Sequence, residues 1–202
     1  MIDLKKINLL YNIGKGLHLQ DIQHLFNLAS QKKFDPNDFL IQEGSQRREI
    51  FFIKKGLIRS FTINEKGEEI TMGLFWENRF VASAEVILNN APSKYYFQAL
   101  EDTETLLMDY DIAQKIIEDN PKLEKSRKFF LQKMLKDALE RIESFVLYSP
   151  EERYIKLVES KPDIVNRVPN KYIANVLGMT PVSLSRIRKR IALKKKSLII
   201  FC

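Results

Sequence analysis

The stretch N170-KYIANVLGMTPVSLSRIRKR-I191 decides how the C-terminal part of the chain folds. Apolar Ile173, Ala174 and Leu177 recur at helical spacing, Gly178 interrupts them, and Leu184, Ile187 and Ile191 restart the same period. Two short helices therefore share one core. Gly178 suits a left-handed turn because it has no Cβ to clash, and Ala174 is small where the second helix must approach the first. Thr180 is placed to cap the second helix with its hydroxyl, and Pro181 fits the first helical position, where no backbone N–H is needed. Helix, turn and helix are fully punctuated.

The second helix sets Arg186, Arg188, Lys189 and Arg190 among polar Ser183 and Ser185, and keeps its apolar positions for packing. A helix of this kind fits the major groove of B-form DNA, where Ser and Arg reach base edges and nearby cations neutralise phosphates. The bland alternative is a helical hairpin with a solvated basic face. Charge distribution favours the groove. No acidic residue follows Asp163, whereas nine lysines and arginines do; with a whole-chain net charge of +7, the first 163 residues sum to −2. Cationic charge is concentrated in one module, as in nucleic-acid-binding domains.

Upstream, Glu151 to Glu159 reads as a further helix after a break at Ser149 and Pro150, with Tyr154, Leu157 and Val158 completing a three-helix core. Before it, Pro121 to Tyr148 is one long helical candidate, with Asn120 placed to cap and Pro121 in the first position. Leu123, Phe130, Met134, Ala138, Ile142 and Phe145 form an apolar stripe that Leu131, Leu135 and Val146 widen. A stripe that broad has room for contact with its own chain and with a second subunit; the alternative is burial wholly within its own chain. From Lys33 to about Asp111 the pattern changes to short apolar runs, FLIQ, EIFFI, LIRSFTI, ITMGLF, FVASAEVIL, YYFQAL and TLLMD, with turns at Gly44, Gly56 and Asn64 to Gly67. Strands at that spacing predict an all-β roll of the jelly-roll kind. Residues 2–30 show helical periodicity through Leu9, Ile13, Leu17, Ile22 and Phe26, and are expected to pack on one end of the roll.

Composition bounds the function. At 202 residues, 45% hydrophobic and 29% charged, the chain reads as an ordinary globular protein of two modest domains. The opening MIDLKKINLLYN lacks an apolar signal core, and no apolar run approaches the length of about 20 residues that spans a bilayer. A cytoplasmic protein without membrane contact is expected. A single cysteine, Cys202, leaves neither an internal disulfide nor a cysteine-ligated iron–sulfur cluster. His18 and His24 are six residues apart, the wrong spacing for a metal pair on one helical face, so no metal is expected. No Gly-rich phosphate loop and no nucleophile with a histidine base appear, so the chain does not read as an enzyme and no cofactor is expected.

The segment EERYIKLVESKPDIVNRVPNKYIANVLGMTPVSLSRIRKRI from Glu151, with the upstream stretches LIQEGSQRREIFFIKKGLIRSF and PSKYYFQALEDTETLLMD, resembles Crp/Fnr-type bacterial transcription regulators in the form common in Bacteroidetes. The likeness covers nearly the whole chain. It implies an α+β protein: a cyclic-nucleotide-binding-like β-roll over 1–120 with flanking helices, a dimerisation helix over 121–148, and a helix-turn-helix domain over 149–202. The partners it implies are double-stranded DNA and a second copy of the chain through the 121–148 helix, with RNA polymerase as a further candidate. By position, Pro181, Val182 and Arg186 match the family's base-reading residues, and Thr180, Ser183 and Lys189 its phosphate or flanking contacts; Ser185 and Arg190 complete the DNA-binding set.

Two departures from the family pattern stand out. Its cyclic-nucleotide site needs a Gly-Glu element and, about ten residues later, an Arg-Ser pair; here Ala82 and Ser83 occupy the first place, and Ser93 and Lys94 the second. Lysine is a point charge without arginine's two-armed fork, so cyclic AMP is not expected and the effector is unknown. Glu85, Ser93, Lys94 and Tyr96 are candidate lining residues for another effector, the competing reading being plain strand packing of Tyr95, Tyr96 and Phe97. The family also continues into a β-hairpin wing, whereas ALKKKSLIIFC has room for at most one strand, over Ser197 to Phe201. Two rival readings are kept beside this one. The first is a small-molecule-binding roll whose basic C-terminus contacts RNA or a membrane surface. The second is a protein-interaction module built on the long helix.

Overall fold

The computed structural model describes residues 29–119 and 124–200, and its middle is a roll of two four-stranded antiparallel sheets. In one sheet the order is β1 (Ser30–Phe34), β8 (Thr103–Asp109), β3 (Glu49–Lys55) and β6 (Phe80–Val81). The other runs β2 (Phe39–Ile41), β7 (Tyr96–Ala99), β4 (Ile58–Ile63) and β5 (Glu69–Phe75). Alternation along each strand sends Phe51, Ile53, Ile58, Phe97 and Ala99 into one cluster between the sheets. Burying each of the larger ones stabilises the roll by about 1.5–3 kcal/mol. Gly56 makes the β3–β4 turn at a φ of +104°, and a Cβ there would lie 2.4 Å from the Thr103 hydroxyl oxygen. Only glycine fits that position.

One apolar run is not the strand that its composition predicts. After Phe80 and Val81 the segment FVASAEVIL turns into a short helix, α1 (Ala84–Asn89), which buries Val86 and Ile87 and leaves Leu88 exposed. Adjacent residues buried together break strand alternation. The helix ends at Asn90, whose φ of 50° is left-handed.

Six more helices follow among the described residues. They are α2 (Tyr110–Asp119), α3 (Glu124–Leu147), α4 (Pro150–Ser160), α5 (Ile164–Arg167), α6 (Asn170–Val176) and α7 (Pro181–Ile200). At 24 residues α3 is about 36 Å long. Its described apolar side chains are largely open to solvent: Leu135, Leu139, Ile142, Val146 and Leu147 are 49–74% exposed. That removes the reading of α3 as a helix buried wholly within its own chain. The expected cap at Asn120 and Pro121 lies outside the described residues, as does all of the expected N-terminal helix before Ala29.

The tail also corrects an expectation. Instead of a wing strand, α7 continues to Ile200, so the fold carries no shortened wing within the described residues. From Val182 to Ile200 there is neither Gly nor Pro to stop a helix, and Ala192, Leu193 and three lysines are strong helix formers. The helical core of this region, with Tyr154, Ile164, Ile173, Leu177, Leu184 and Ile187, is continuous with Leu57 and Leu74 of the roll. One apolar cluster thus spans the expected domain boundary at residue 149.

Candidate nucleic-acid interface

Backbone and side chain together build the turn between α6 and α7. The amide of Met179 donates to the Ala174 carbonyl at 3.0 Å and that of Gly178 to Asn175 at 2.9 Å, the paired bonds of a glycine-terminated helix. Gly178 has a φ of +65°, and a Cβ there would also meet the Phe145 ring at 2.6 Å. The turn glycine is therefore required twice, by conformation and by the close approach of α3. Two residues on, the Thr180 hydroxyl accepts from the Ser183 amide at 3.1 Å and lies 3.0 Å from the Ser183 hydroxyl. Thr180 caps α7 as its position predicts.

That cap sets the rotation of the helix. Leu184 and Ile187 are buried, while Pro181, Val182, Ser185, Arg186, Lys189 and Arg190 are exposed. Val182, Arg186 and Lys189 follow one another at spacings of four and three, along a single solvent-facing line. Among the described residues, Arg186 and Lys189 make no ion pair. Two neighbouring cations of the helix are engaged: Arg188 donates to the Asn170 side chain at 2.6 Å, and Arg190 pairs with Glu151 in the first turn of α4. Arg190 is thus held toward α4.

A second set of arginines is engaged inside the protein, and periodicity does not reveal it. Arg153, buried in α4, donates from Nε to the Leu177 carbonyl at 3.0 Å and from Nη1 to the Tyr148 carbonyl at 2.7 Å, over the Phe145 ring. It joins the end of α3 to the turn. Arg167 of α5 reaches Glu77 and Glu101 with both arms of its guanidinium, at 2.7 Å and 2.5 Å for the shortest pairs, and also Asp163 at 3.0 Å. Lys161 adds a bond to Glu77 at 3.0 Å. Burial alone would raise the Glu77 carboxyl, but Arg167, Lys161 and backbone amides including that of Gly56 outweigh it and lower it to about 2. The Glu101 carboxylate, opposed by burial and helped by Glu77 and Asp163, holds Arg167 above its ordinary range. Arg59 of β4 is 3% exposed, bonded to Gln98 and to Glu69 at 2.7 Å, with its guanidinium carbon 4.0 Å from the Phe61 ring centre and 4.1 Å from that of Tyr172 in α6. A single charged residue inside the apolar run LIRSFTI was the available signal.

The four candidate effector residues do not converge. The Ser83 hydroxyl donates to Glu85 at 3.1 Å, and the Ser93 hydroxyl is satisfied by the backbone of Tyr95. Lys94 is exposed, and Tyr96 stacks on Phe61 at 5.0 Å between ring centres. Glu43, hydrogen-bonded to the Tyr96 hydroxyl, holds that phenol above its ordinary range. A cleft of about 710 Å³ opens elsewhere, where Trp76 and Arg79 of the roll meet Arg141 and Phe145 of α3 and Lys156 of α4. A smaller apolar cavity of about 240 Å³ lies under α1, α2 and α3. None of the four residues lines either. Among the described residues no cluster of His, Cys, Asp and Glu is suited to a metal ion, and no helix is long and apolar enough to cross a membrane.

Comparison with known proteins agrees with this arrangement. Residues 31–120 match the family model of the cyclic nucleotide-binding domain. The chain is 25% identical over 187 residues to the anaerobic regulatory protein of Aggregatibacter actinomycetemcomitans, covering 86% of this chain and 72% of that protein. It is also 25% identical over 187 residues to the fumarate and nitrate reduction regulatory protein of Vibrio cholerae, covering 86% and 74%. In fold it is similar to a solved protein of Ruegeria pomeroyi, with a TM-score of 0.70 at 19% identity over 96% of this chain and 89% of that one. The two sequence relatives are named as regulatory proteins, not as enzymes.

Proposed function

We propose that this chain, a transcription regulator of the Crp/Fnr type, acts as a homodimer that reads double-stranded DNA with α7. The observation that carries the reading is the free line of Val182, Arg186 and Lys189 on a helix whose opposite side is buried. Arg186 has the base-reading chemistry, since arginine makes paired hydrogen bonds to guanine O6 and N7. Val182 and Pro181 offer apolar contact to a thymine methyl. Thr180, Ser183, Ser185 and Lys189 serve the backbone and flanking positions, and Arg190 joins them on release from Glu151.

The exposed stripe on α3 supports the second copy. Leu135, Leu139, Ile142 and Val146 form an apolar face of the kind that marks a protein interface. A cyclic nucleotide is not part of the reading. Ala82 and Ser83 replace the Gly-Glu element, and Ser93 and Lys94 the Arg-Ser pair. RNA polymerase is a downstream partner of the same reading.

Selection of duplexes from a random pool tests it. The expected product is a palindrome whose half-site centres lie about 34–36 Å apart, or a multiple of that. Ile142→Glu is expected to yield a monomer that has lost the preference for two half-sites. A chain that stays monomeric in its parent form and retains no duplex at low salt overturns the proposal, and retention of RNA or anionic vesicles alone favours its rival.

A further inference from the structure

The helix-turn-helix domain is not merely tethered through the end of α3. It is docked on the roll. The first helix of the motif, α6, lies along β5, and the Asn175 side chain accepts from the Thr71 amide at 3.3 Å. Leu57 and Leu74 of the roll enter the domain's apolar core. Around that contact stand two polar ties of opposite design. In one, a domain arginine is gripped by roll carboxylates: Arg167 by Glu77 and Glu101, which come from the β5–β6 and β7–β8 turns. In the other, a roll arginine is gripped by a domain ring: Arg59 by Tyr172.

Glu77 is itself held in place. The Gly56 amide donates to it at 3.2 Å, so three turns at one end of the roll form a single receptor for the α5 cation. Domains in one chain are ordinarily free to move relative to each other unless the interface is large and apolar. Here a continuous core and paired charges oppose that freedom. The docked pose also leaves Val182, Arg186 and Lys189 exposed to solvent. The ties therefore orient the reading helix without masking it.

We infer that Glu77 and Glu101 of the β-roll are positioning residues for DNA reading: by gripping Arg167 they fix the angle at which each α7 leaves the roll, and hence the spacing of the two reading helices in a dimer. The inference rests on the dimeric DNA reading above. Its physical content is effective concentration. When one domain sits in its half-site, the second must already be placed over the next for the dimer to gain from bivalence. A loosened domain keeps its own contacts and loses that gain.

The test uses the full chain with Glu77→Gln and Glu101→Gln together, which keep side-chain shape and remove charge. It needs two duplexes taken from the selection, one with both half-sites and one with a single half-site. Affinity for the two-half-site duplex is expected to fall about tenfold or more, with the single-half-site affinity unchanged within about twofold. Equal change on both duplexes, or none on either, overturns the inference. A second measurement does not involve DNA. The Thr71 amide, bonded to Asn175 across the dock, is expected to exchange hydrogen about tenfold faster in the variant while the α6 and α7 amides keep their protection. Unchanged Thr71 exchange refutes the positioning role even if no duplex is ever bound. If the parent chain does not distinguish two half-sites from one, the dimeric DNA reading fails, and Thr71 exchange alone decides whether the dock is held by these carboxylates.

Discussion

The roll-facing and solvent-facing sides of the C-terminal domain carry the same residue types in opposite circumstances. On the roll side Arg167 is met by three carboxylates and Arg153 by two carbonyls, and Arg59 reaches across from β4 to the ring of Tyr172. On the other side Arg186 and Lys189 stand exposed without an ion pair among the described residues. A cation whose charge is already answered inside the protein is structural. One that is held rigidly and left unanswered is available to a polyanion. The difference lies not in the side chain but in whether a carboxylate or a ring has been placed opposite it.

The largest effect that sharpens this contrast is expected from Arg59→Ala. Glu69 is 40% exposed and can rehydrate, so the cost comes from the buried Gln98 side-chain oxygen left without its donor, about 1–3 kcal/mol. Urea denaturation followed by circular dichroism measures it; a loss well below 1 kcal/mol would mean that Arg59 holds nothing together. The opposite side answers differently. Arg186→Ala is expected to leave the unfolding midpoint unchanged and to reduce discrimination at a guanine by about 1–3 kcal/mol. Equal losses on specific and random duplexes would reduce Arg186 to a phosphate contact.

Acid probes the clip on the roll side. Glu77 titrates at about 2 in the docked domain against an ordinary 4.5. A carboxyl whose folded value is lowered contributes fully above the ordinary value and loses that contribution as pH falls through the folded one. Docking is therefore expected to hold from neutral pH to about 4.5 and to weaken from there down to about 2. The effect is on the order of 1 kcal/mol, because the carboxylate is partly solvent-screened. Trp76 is the chain's one tryptophan, next to Glu77 and packed on the shared core, so its fluorescence reports the change. The same transition in Glu77→Gln would assign it to other carboxylates.

How much of this was legible in the sequence follows from the range of the interactions. The turn at Gly178, the Thr180 cap and the buried line of Leu184 and Ile187 are local, and spacing reveals them. The strands of the roll were readable because apolar runs end at turn residues, except where FVASAEVIL bent into α1. There the run was apolar enough for a strand, but consecutive Val86 and Ile87 share one buried side. Apart from Asp163, four residues earlier, the Arg167 clip was not legible. Its carboxylates lie 66 and 90 residues away in two separate turns, and nothing in local pattern links them. Arg190 shows the converse limit. Its position in a basic helix predicts a DNA contact, while Glu151, 39 residues earlier, claims it in the free chain.

The smallest effect concerns Lys189, and it tests whether an exposed, unpaired cation has a job. Lys189→Ala touches no buried group, so stability should be unchanged within about 0.5 kcal/mol. If the side chain meets a phosphate, its loss weakens binding to every duplex alike, and the dependence of log affinity on log salt becomes shallower by about 0.9 for each contact removed. A dimer loses two such contacts, so the full-site slope should change by about twice as much as the half-site slope does. The ratio matters more than either value. An unchanged slope would place Lys189 off the DNA and turn the reading line toward Val182 and Ser185, whereas an equal change on the full site and the half-site would mean that only one of the two helices reaches the backbone. Only a doubled change fits two equivalent helices held at a fixed angle to the rolls, which is the geometry that Arg167 and its carboxylates would have to maintain.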